Sequence, residues 1–155
     1  MKGKSVVIDK LNELLAGELS SMDLYLLQGR MFEDWGYTKL QERLIHESSD
    51  ERGHADALIQ RILFLEGEPN LAARIKISVG KTPREMLEND LKYELDMAKV
   101  LNEGIALCVA EGDNGTRVLL DQLLKDTESD HIFWLQTQLR LMDEVGTQQY
   151  LAEQM

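Results

Sequence analysis

The chain has 155 residues, 43% of them hydrophobic and 29% charged, a composition typical of one globular domain rather than a disordered segment. A formal net charge of −11 at pH 7 argues against nucleic-acid binding and favours either solubility or the attraction of cations. The single cysteine, Cys108, excludes an internal disulfide and indicates a reducing compartment. No signal peptide or membrane span is recognisable. We therefore expect one cytoplasmic domain over residues 1–155.

The first two helices are predicted from their boundary residues. The first helix runs over about residues 5–35 and ends at Gly36. Thr38 is predicted to be the N-cap of the second helix, because Gln41 completes a T-x-x-Q capping box. The apolar spacing then continues over about residues 38–66.

Two further long helices and a short tail helix follow. The sequence TPRE at residues 82–85 supplies a cap, a proline at N1 and a glutamate at N3, which together predict the start of the third helix. This helix is predicted to end near GDNG at residues 112–115. Thr116 is predicted to cap the fourth helix, which ends at Gly146. A short fifth helix is predicted within residues 147–155.

The connections between these helices predict how they are arranged. The first-to-second and third-to-fourth connections are short, so each pair should form an antiparallel hairpin. Residues 67–82 are different, because sixteen extended residues reach about 50 Å, the length of the bundle. We therefore predict an all-α fold, a ferritin-like four-helix bundle with one long crossover and a short C-terminal helix.

Each of the four helices has an apolar stripe that is interrupted by glutamate near its middle. The four glutamates are Glu18, Glu51, Glu94 and Glu128, and histidines three residues after two of them are His54 and His131. Unpaired buried carboxylates cost several kcal/mol each and repel one another. Because no lysine or arginine lies on these stripes, two divalent cations are predicted to balance the four charges, with protons as the alternative.

The order of these residues predicts a pseudo-twofold metal site. A helix with one glutamate is followed by a helix with E-x-x-H, and this occurs twice. Two single glutamates and two E-x-x-H pairs are typical of di-iron and di-manganese carboxylate proteins. Oxygen-rich ligation with one imidazole per metal favours iron or manganese over zinc. The alternative interpretation is that these residues form surface ion pairs on a bundle whose helices are rotated differently.

Four other residues near these positions allow two interpretations each. Tyr25 is either part of the core or a hydrogen-bond and radical partner of the centre. The group His46, Glu47 and Asp50 is either solvated or a site that binds iron in transit.

In all these features the sequence resembles the bacterioferritins along essentially its full length. The resemblance rests on Glu18, Tyr25, HES–DE–HAD at 46–56, RILFLEG–PNL at 61–71, Glu94, E-x-x-H at 128–131 and GxxxYL at 146–151. It implies a shell of twenty-four subunits that stores ferric mineral, with a ferredoxin-type electron donor for iron release. It also implies a ferroxidase centre that binds two irons per subunit through Glu18, Glu51, His54, Glu94, Glu128 and His131. In this centre Glu51 and Glu128 would bridge the irons.

Arg52 departs from the family pattern. Bacterioferritins bind haem b between two subunits through a methionine that aligns with this position, and a guanidinium cannot ligate haem iron. We therefore expect no haem binding by this chain alone. The chain would be the haem-free subunit of a shell that also contains a methionine-bearing subunit, or a ferritin without haem. Arg52 is predicted to face a neighbouring subunit, because it lies about 100° round the helix from Glu51.

Two rival functions are compatible with the same bundle. The first is another di-metal carboxylate oxidase or peroxidase, such as a rubrerythrin-like peroxidase or a manganese catalase. The absence of a C-x-x-C motif disfavours the rubrerythrin-like form. The second is a structural or partner-binding bundle whose buried glutamates are neutralised by protons.

Overall fold

Six α-helices and one π-helical segment form the chain in a computed structural model, which describes all 155 residues. The α-helices are α1 (Ser5–Asp34), α2 (Thr38–Phe64), α3 (Pro83–Glu111), α4 (Asn114–Asp126), α5 (Phe133–Val145) and α6 (Thr147–Ala152). The π-helical segment Thr127–Ile132 joins α4 to α5, so that these three elements form the fourth long helix of the bundle. The predicted all-α bundle with a short C-terminal helix is confirmed. None of the helices combines the length and the apolar character that crossing a membrane requires.

The core lies between the four long helices. Helix α1 packs against α2 and α3, and α3 packs against α4 and α5. The core contains 25 buried hydrophobic residues, and leucine predominates among them. These leucines recur at three- and four-residue spacing along each helix, which explains why one face of each helix is buried.

The crossover, residues 65–82, follows α1 for most of its length. Near one end Asn12 donates a hydrogen bond to the carbonyl of Glu68 (3.0 Å). Near the other end Gln28 donates to the carbonyl of Val79 (2.9 Å). Sixteen residues separate Asn12 from Gln28, which corresponds to about 24 Å along the helix. The long connection therefore runs along the bundle, as its length predicts.

Two predicted helix caps are wrong by one to three residues. The carbonyl of Tyr37 accepts the first intrahelical hydrogen bond, from Gln41 N (3.0 Å), so Tyr37 rather than Thr38 is the N-cap of α2. At the start of α4, Asp113 is the N-cap, and its Oδ1 accepts from the backbone N–H of Thr116 (3.0 Å). Thr116 is thus the third residue of the helix. The predicted cap of α3 is correct, because Thr82 Oγ1 accepts from the backbone N–H of residue 85 (3.2 Å).

Candidate metal centre

Five of the predicted ligands meet in the middle of the bundle. Glu18 lies on α1, Glu51 and His54 on α2, Glu94 on α3 and His131 on the π-helical segment. All five side chains are buried. Each side chain reaches the centre because it replaces a core residue on the buried stripe of its helix.

The five side chains form two groups that share Glu51. The first group is Glu18, Glu51 and His54, and the second is Glu51, Glu94 and His131. His54 Nδ1 lies 3.5 Å from Glu18 Oε2 and 3.9 Å from Glu51 Oε2. His131 Nδ1 lies 3.0 Å from Glu51 Oε1 and 3.3 Å from Glu94 Oε1. One oxygen of Glu51 therefore belongs to each group, which is the position of a bridging carboxylate.

Burial and mutual repulsion disfavour the charged forms of the clustered carboxyls. Burial raises the pKa of Glu18 to about 7, and the charge of Glu94 adds to the shift. Burial and the Glu18 carboxylate raise the pKa of Glu51 to about 8. Burial and the charge of Glu51 also raise the pKa of Glu94. Without a metal ion, Glu18 and Glu51 take up protons near neutral pH, and a bound divalent cation would release those protons.

The donor atoms of the cluster fit a pair of divalent cations. Oε1 of Glu51 and Nδ1 of His54 are buried and make no hydrogen bond, although Glu51 Oε1 lies 3.0 Å from His131 Nδ1. Buried polar atoms without a partner are rare and call for an explanation. Carboxylate oxygens with one imidazole nitrogen per group are ligands that suit iron or manganese. Metal ligation would satisfy both atoms at once.

Two hydroxyl groups orient the carboxylates. Ser21 Oγ donates to Glu51 Oε2 (2.9 Å). The buried hydroxyl of Tyr25 donates to Glu94 Oε1. Tyr25 is thus both a core residue and a hydrogen-bond partner of the candidate centre.

The structure does not bring Glu128 to the cluster. Its side chain is exposed and lines an open surface pocket with Lys125, Ser129 and Phe133. The reason is the π-helical segment, in which the wider i→i+5 turn places residues four apart on one face. Thr127 and His131 are therefore buried, and Glu128 is rotated outward from the position that an α-helix would give it.

Glu47 lies beside the cluster, close to Asp50 but without His46 of the predicted group. It is buried, and its Oε2 lies 2.5 Å from His131 Nε2. His46 is exposed, and its Nε2 lies 3.4 Å from Asp50 Oδ2, which in turn lies 3.8 Å from His131 Nε2. The position of Glu47 on the stripe of Leu44, one turn before Glu51, is the sequence signal for its burial.

Arg43 does not lie on the apolar stripe of α2, but it places a cation beside the cluster. Its guanidinium contacts Oε1 of Glu47 and lies 2.9 Å from Oδ1 of Asp130. It also stacks over the ring of Trp134, with 4.6 Å between Cζ and the ring centroid. The i,i+4 spacing of Arg43 and Glu47 is a local signal for the first contact. No local pattern predicts the contacts with Asp130 and Trp134, because these residues are distant in the sequence.

Asp90 is another buried carboxyl near the centre, and the sequence did not predict its burial. It is fully buried, and neither carboxyl oxygen has a hydrogen-bond partner. It lines a cavity of about 10 Å³ together with Tyr25, Glu47 and His131. Burial raises the pKa of this carboxyl well above its usual range. The sequence signal for the burial of Asp90 is its position four residues before Glu94 on α3, which places both side chains on one helix face.

Comparisons with known proteins give the family. The family model of the ferritin-like domain matches residues 8–145. The chain belongs to the ferritin-like family. It is 48% identical to "Bacterial ferritin" of Synechocystis sp. over 155 residues, 100% of this chain and 99% of the relative. It is 49% identical to "Bacterial ferritin" of Pseudomonas aeruginosa over 154 residues, 99% of each chain. It is 41% identical to "Bacterioferritin" of Mycobacterium leprae over 153 residues, 99% of this chain and 96% of the relative. The resemblance to bacterioferritins is confirmed.

An acidic pocket leads from the surface of this ferritin-like chain to the two imidazoles. Its volume is about 470 Å³, and no hydrophobic residue lines it. The lining residues are His46, Ser49, Asp50, Gly53, His54, Asp126, Asp130 and His131. A hydrated cation could reach both histidines of the centre through this pocket.

Arg52 lies on the side of α2 that faces away from the cluster. Its side chain is exposed, and it forms no ion pair with any acid of its own chain. The neighbouring helix α1 exposes Leu26 and Leu27, which are about half accessible.

Proposed function

We propose that this chain oxidises Fe(II) to Fe(III) at a two-iron centre within each subunit and stores the ferric product inside a shell of twenty-four copies. Iron storage is the function that membership of the ferritin-like family supports. The observation that carries the ferroxidase proposal is the shared position of Glu51 between two groups, each with its own histidine.

The five clustered residues would hold the two irons. Glu18 and His54 would bind one ion, Glu94 and His131 the other, and Glu51 both. A pair of Fe(II) ions supplies the two electrons that, with two protons, reduce O₂ to hydrogen peroxide or hydrogen peroxide to water. The three carboxylates favour Fe(III) over Fe(II), because negative oxygen ligands stabilise the higher charge.

The surrounding residues would keep the carboxylates in place. Ser21 and Tyr25 each donate a hydrogen bond to a carboxylate of the centre, to Glu51 and Glu94 respectively. These bonds restrict rotation of the ligands before metal arrives, which lowers the entropic cost of binding. Loss of protons from Glu18 and Glu51 on binding makes the affinity for iron increase with pH.

The acidic pocket is our candidate for iron in transit. His46 and Asp50 line it with Asp126 and Asp130, so three carboxylates lie along the approach to the centre. Cations are attracted to clefts that are lined by negative charge. Glu47 was predicted to join His46 and Asp50; it lies close to Asp50, but its side chain is buried against Arg43 and His131 and does not line the pocket.

We propose that the chain does not bind haem through position 52. The exposed Arg52 guanidinium offers no lone pair to haem iron. The chain therefore forms a haem-free shell or is the haem-free subunit of a mixed shell. Its exposed large hydrophobic side chains, among them Leu63, Phe64 and Phe133, support burial against other subunits.

Aerobic titration of the metal-free protein with Fe(II) tests the ferroxidase proposal. We expect rapid oxidation of two irons per chain, followed by slower uptake. Glu18→Ala should abolish the rapid phase, whereas Glu13→Ala, an exposed carboxylate on the same helix, should leave it unchanged. Oxidation no faster than in buffer would reject the proposal. The particle mass tests assembly, since twenty-four chains of 17.7 kDa give about 425 kDa and other di-metal enzymes form smaller oligomers.

A further inference from the structure

Both imidazoles of the candidate centre lie between carboxylates, but the carboxylates next to their Nε2 atoms, on the side away from Glu51, differ in exposure. His54 Nε2 lies 3.3 Å from Oδ2 of Asp126, a side chain that is 61% exposed. His131 Nε2 lies 2.5 Å from Oε2 of Glu47, whose side chain is only 5% exposed. The buried carboxylate of Glu47 is therefore in close ionic contact with the outer nitrogen of the His131 ring. A carboxylate in this place orients the ring of a metal-binding histidine, here with Nδ1 towards Glu51 and Glu94.

Arg43 holds Glu47 in this position. The two residues are one helical turn apart on α2, and the guanidinium contacts the carboxylate oxygen that does not face His131. The guanidinium is fixed in turn by Asp130 at 2.9 Å and by the Trp134 ring at 4.6 Å. A series of close ionic contacts therefore runs from Arg43 through Glu47 to His131, whose Nδ1 faces Glu51 and Glu94.

The same residues could be interpreted as a third metal site. Ligand atoms of Glu47, Asp50, Asp130 and His131 all lie within 4.8 Å of one another. However, Nη2 of Arg43 contacts two of the three carboxylates, Glu47 and Asp130. A divalent ion bound there would lie next to a permanent positive charge and would have to displace it. Arginine cannot lose its proton to relieve the repulsion.

We propose that Glu47 is a positioning residue for His131 and not a metal ligand, and that Arg43 is the built-in cation that prevents a third metal ion from binding to this acidic cluster. The inference rests on the proposed two-metal centre. It predicts that the arginine, rather than the number of available carboxylates, sets the metal count at two per chain.

Titration of the metal-free protein with Co(II) tests the inference without turnover, because the number of bound ions and their visible absorption bands are both measurable. The wild-type chain should bind two ions. Glu47→Ala should still bind two, but the site that contains His131 should lose about 10- to 100-fold in affinity with a change in its absorption bands. The matched control is Glu42→Ala, which removes an exposed carboxylate from the same helix and should leave both affinities close to wild type.

Variants of Arg43 test the second half of the inference. Arg43→Met and Arg43→Gln should each bind a third Co(II), whereas Arg43→Lys, which keeps the charge, should bind two. The double variant Arg43→Met/Glu47→Ala should return to two ions, because a ligand of the third site is then absent. Circular dichroism of each variant shows whether the helices are retained.

The possible failures are distinguishable. Absence of Co(II) binding by the wild-type chain would reject the two-metal centre and this inference together. Binding of two ions by the wild type with unchanged affinity in Glu47→Ala would reject only the positioning role. Binding of three ions by the wild type, reduced to two in Glu47→Ala, would show that Glu47 is a ligand and would overturn the inference.

Discussion

The rings of His54 and His131 lie nearly parallel, with 6.1 Å between their centroids and 19° between their planes. Both rings direct Nδ1 to the shared Glu51 and Nε2 to an outer carboxylate. The two halves of the centre are thus similar in geometry, although their helices differ in sequence. If each ring serves one metal, the two histidines should be separable by mutation.

The first prediction follows from this arrangement. His54→Ala and His131→Ala should each bind one Co(II) per chain instead of two, because each removes the only nitrogen ligand of one group. Glu51→Ala should affect both sites, because its two oxygens belong to different groups. Isothermal titration calorimetry measures these stoichiometries. His46→Ala is the control and should bind two ions. Loss of both ions in His54→Ala or in His131→Ala would contradict the assignment of one histidine to each metal ion.

Glu128 provides a second test, because the sequence predicts a ligand and the structure places the side chain outside the cluster. We expect Glu128→Ala to bind two Co(II) ions with affinities close to wild type. Glu18→Ala, a change of the same size at a buried position, should lose one ion. If Glu128→Ala also lost an ion, the π-helical segment would have to rearrange when metal binds.

A third prediction concerns the pH dependence of stability in the metal-free protein. The pKa of Glu18 rises from 4.5 to about 7 on folding, and that of Glu51 to about 8. Between pH 4.5 and about pH 8 the folded state binds more protons than the unfolded state. The free energy of unfolding therefore falls as the pH rises through this range. The contribution of Glu18 is on the order of 3 kcal/mol.

Thermal unfolding in the presence of a chelator measures this effect. The melting temperature should decrease from pH 5 to pH 8. Glu18→Gln, which cannot titrate, should reduce the slope, while Glu13→Gln on the exposed face should not. Saturating Co(II) should raise the melting temperature most at pH 8, where bound protons no longer compete with the metal. A melting temperature that rises steadily with pH in the metal-free protein would exclude the proton-loaded cluster.

Sequence periodicity predicted most of the site, because a buried stripe at three- and four-residue spacing determines which side chains share a helix face. It placed Glu18, Glu51, Glu94 and the two histidines correctly on the buried faces. It failed at Glu128, since one π-helical turn changes the period and no local residue signals it. Likewise, no sequence pattern predicts the contact between Arg43 and Asp130, which depends on how two helices pack.

A fourth prediction tests the role of position 52. Arg52→Met introduces a thioether at the position where the family binds haem, and we expect the variant to take up haem at one per two chains. A Soret band in the absorption spectrum after reconstitution with haem measures this uptake. The wild-type chain treated in the same way should show no such band. A Soret band of equal intensity in both proteins would show that haem binds elsewhere.

The last prediction concerns the stability of the α3–α4 connection. Asp113 caps α4 through the backbone N–H of Thr116 and also pairs with Arg61 at 3.2 Å, which ties α4 to α2. Asp113→Ala should therefore reduce the free energy of unfolding by about 1–2 kcal/mol. Urea denaturation of the metal-free protein, at one fixed protein concentration, measures the change in the free energy of unfolding. Asp121→Ala, which removes an exposed ion pair with Arg117 from the same helix, should cost less than about 0.5 kcal/mol. Equal losses in the two variants would show that Asp113 contributes as a surface charge and not as a helix cap.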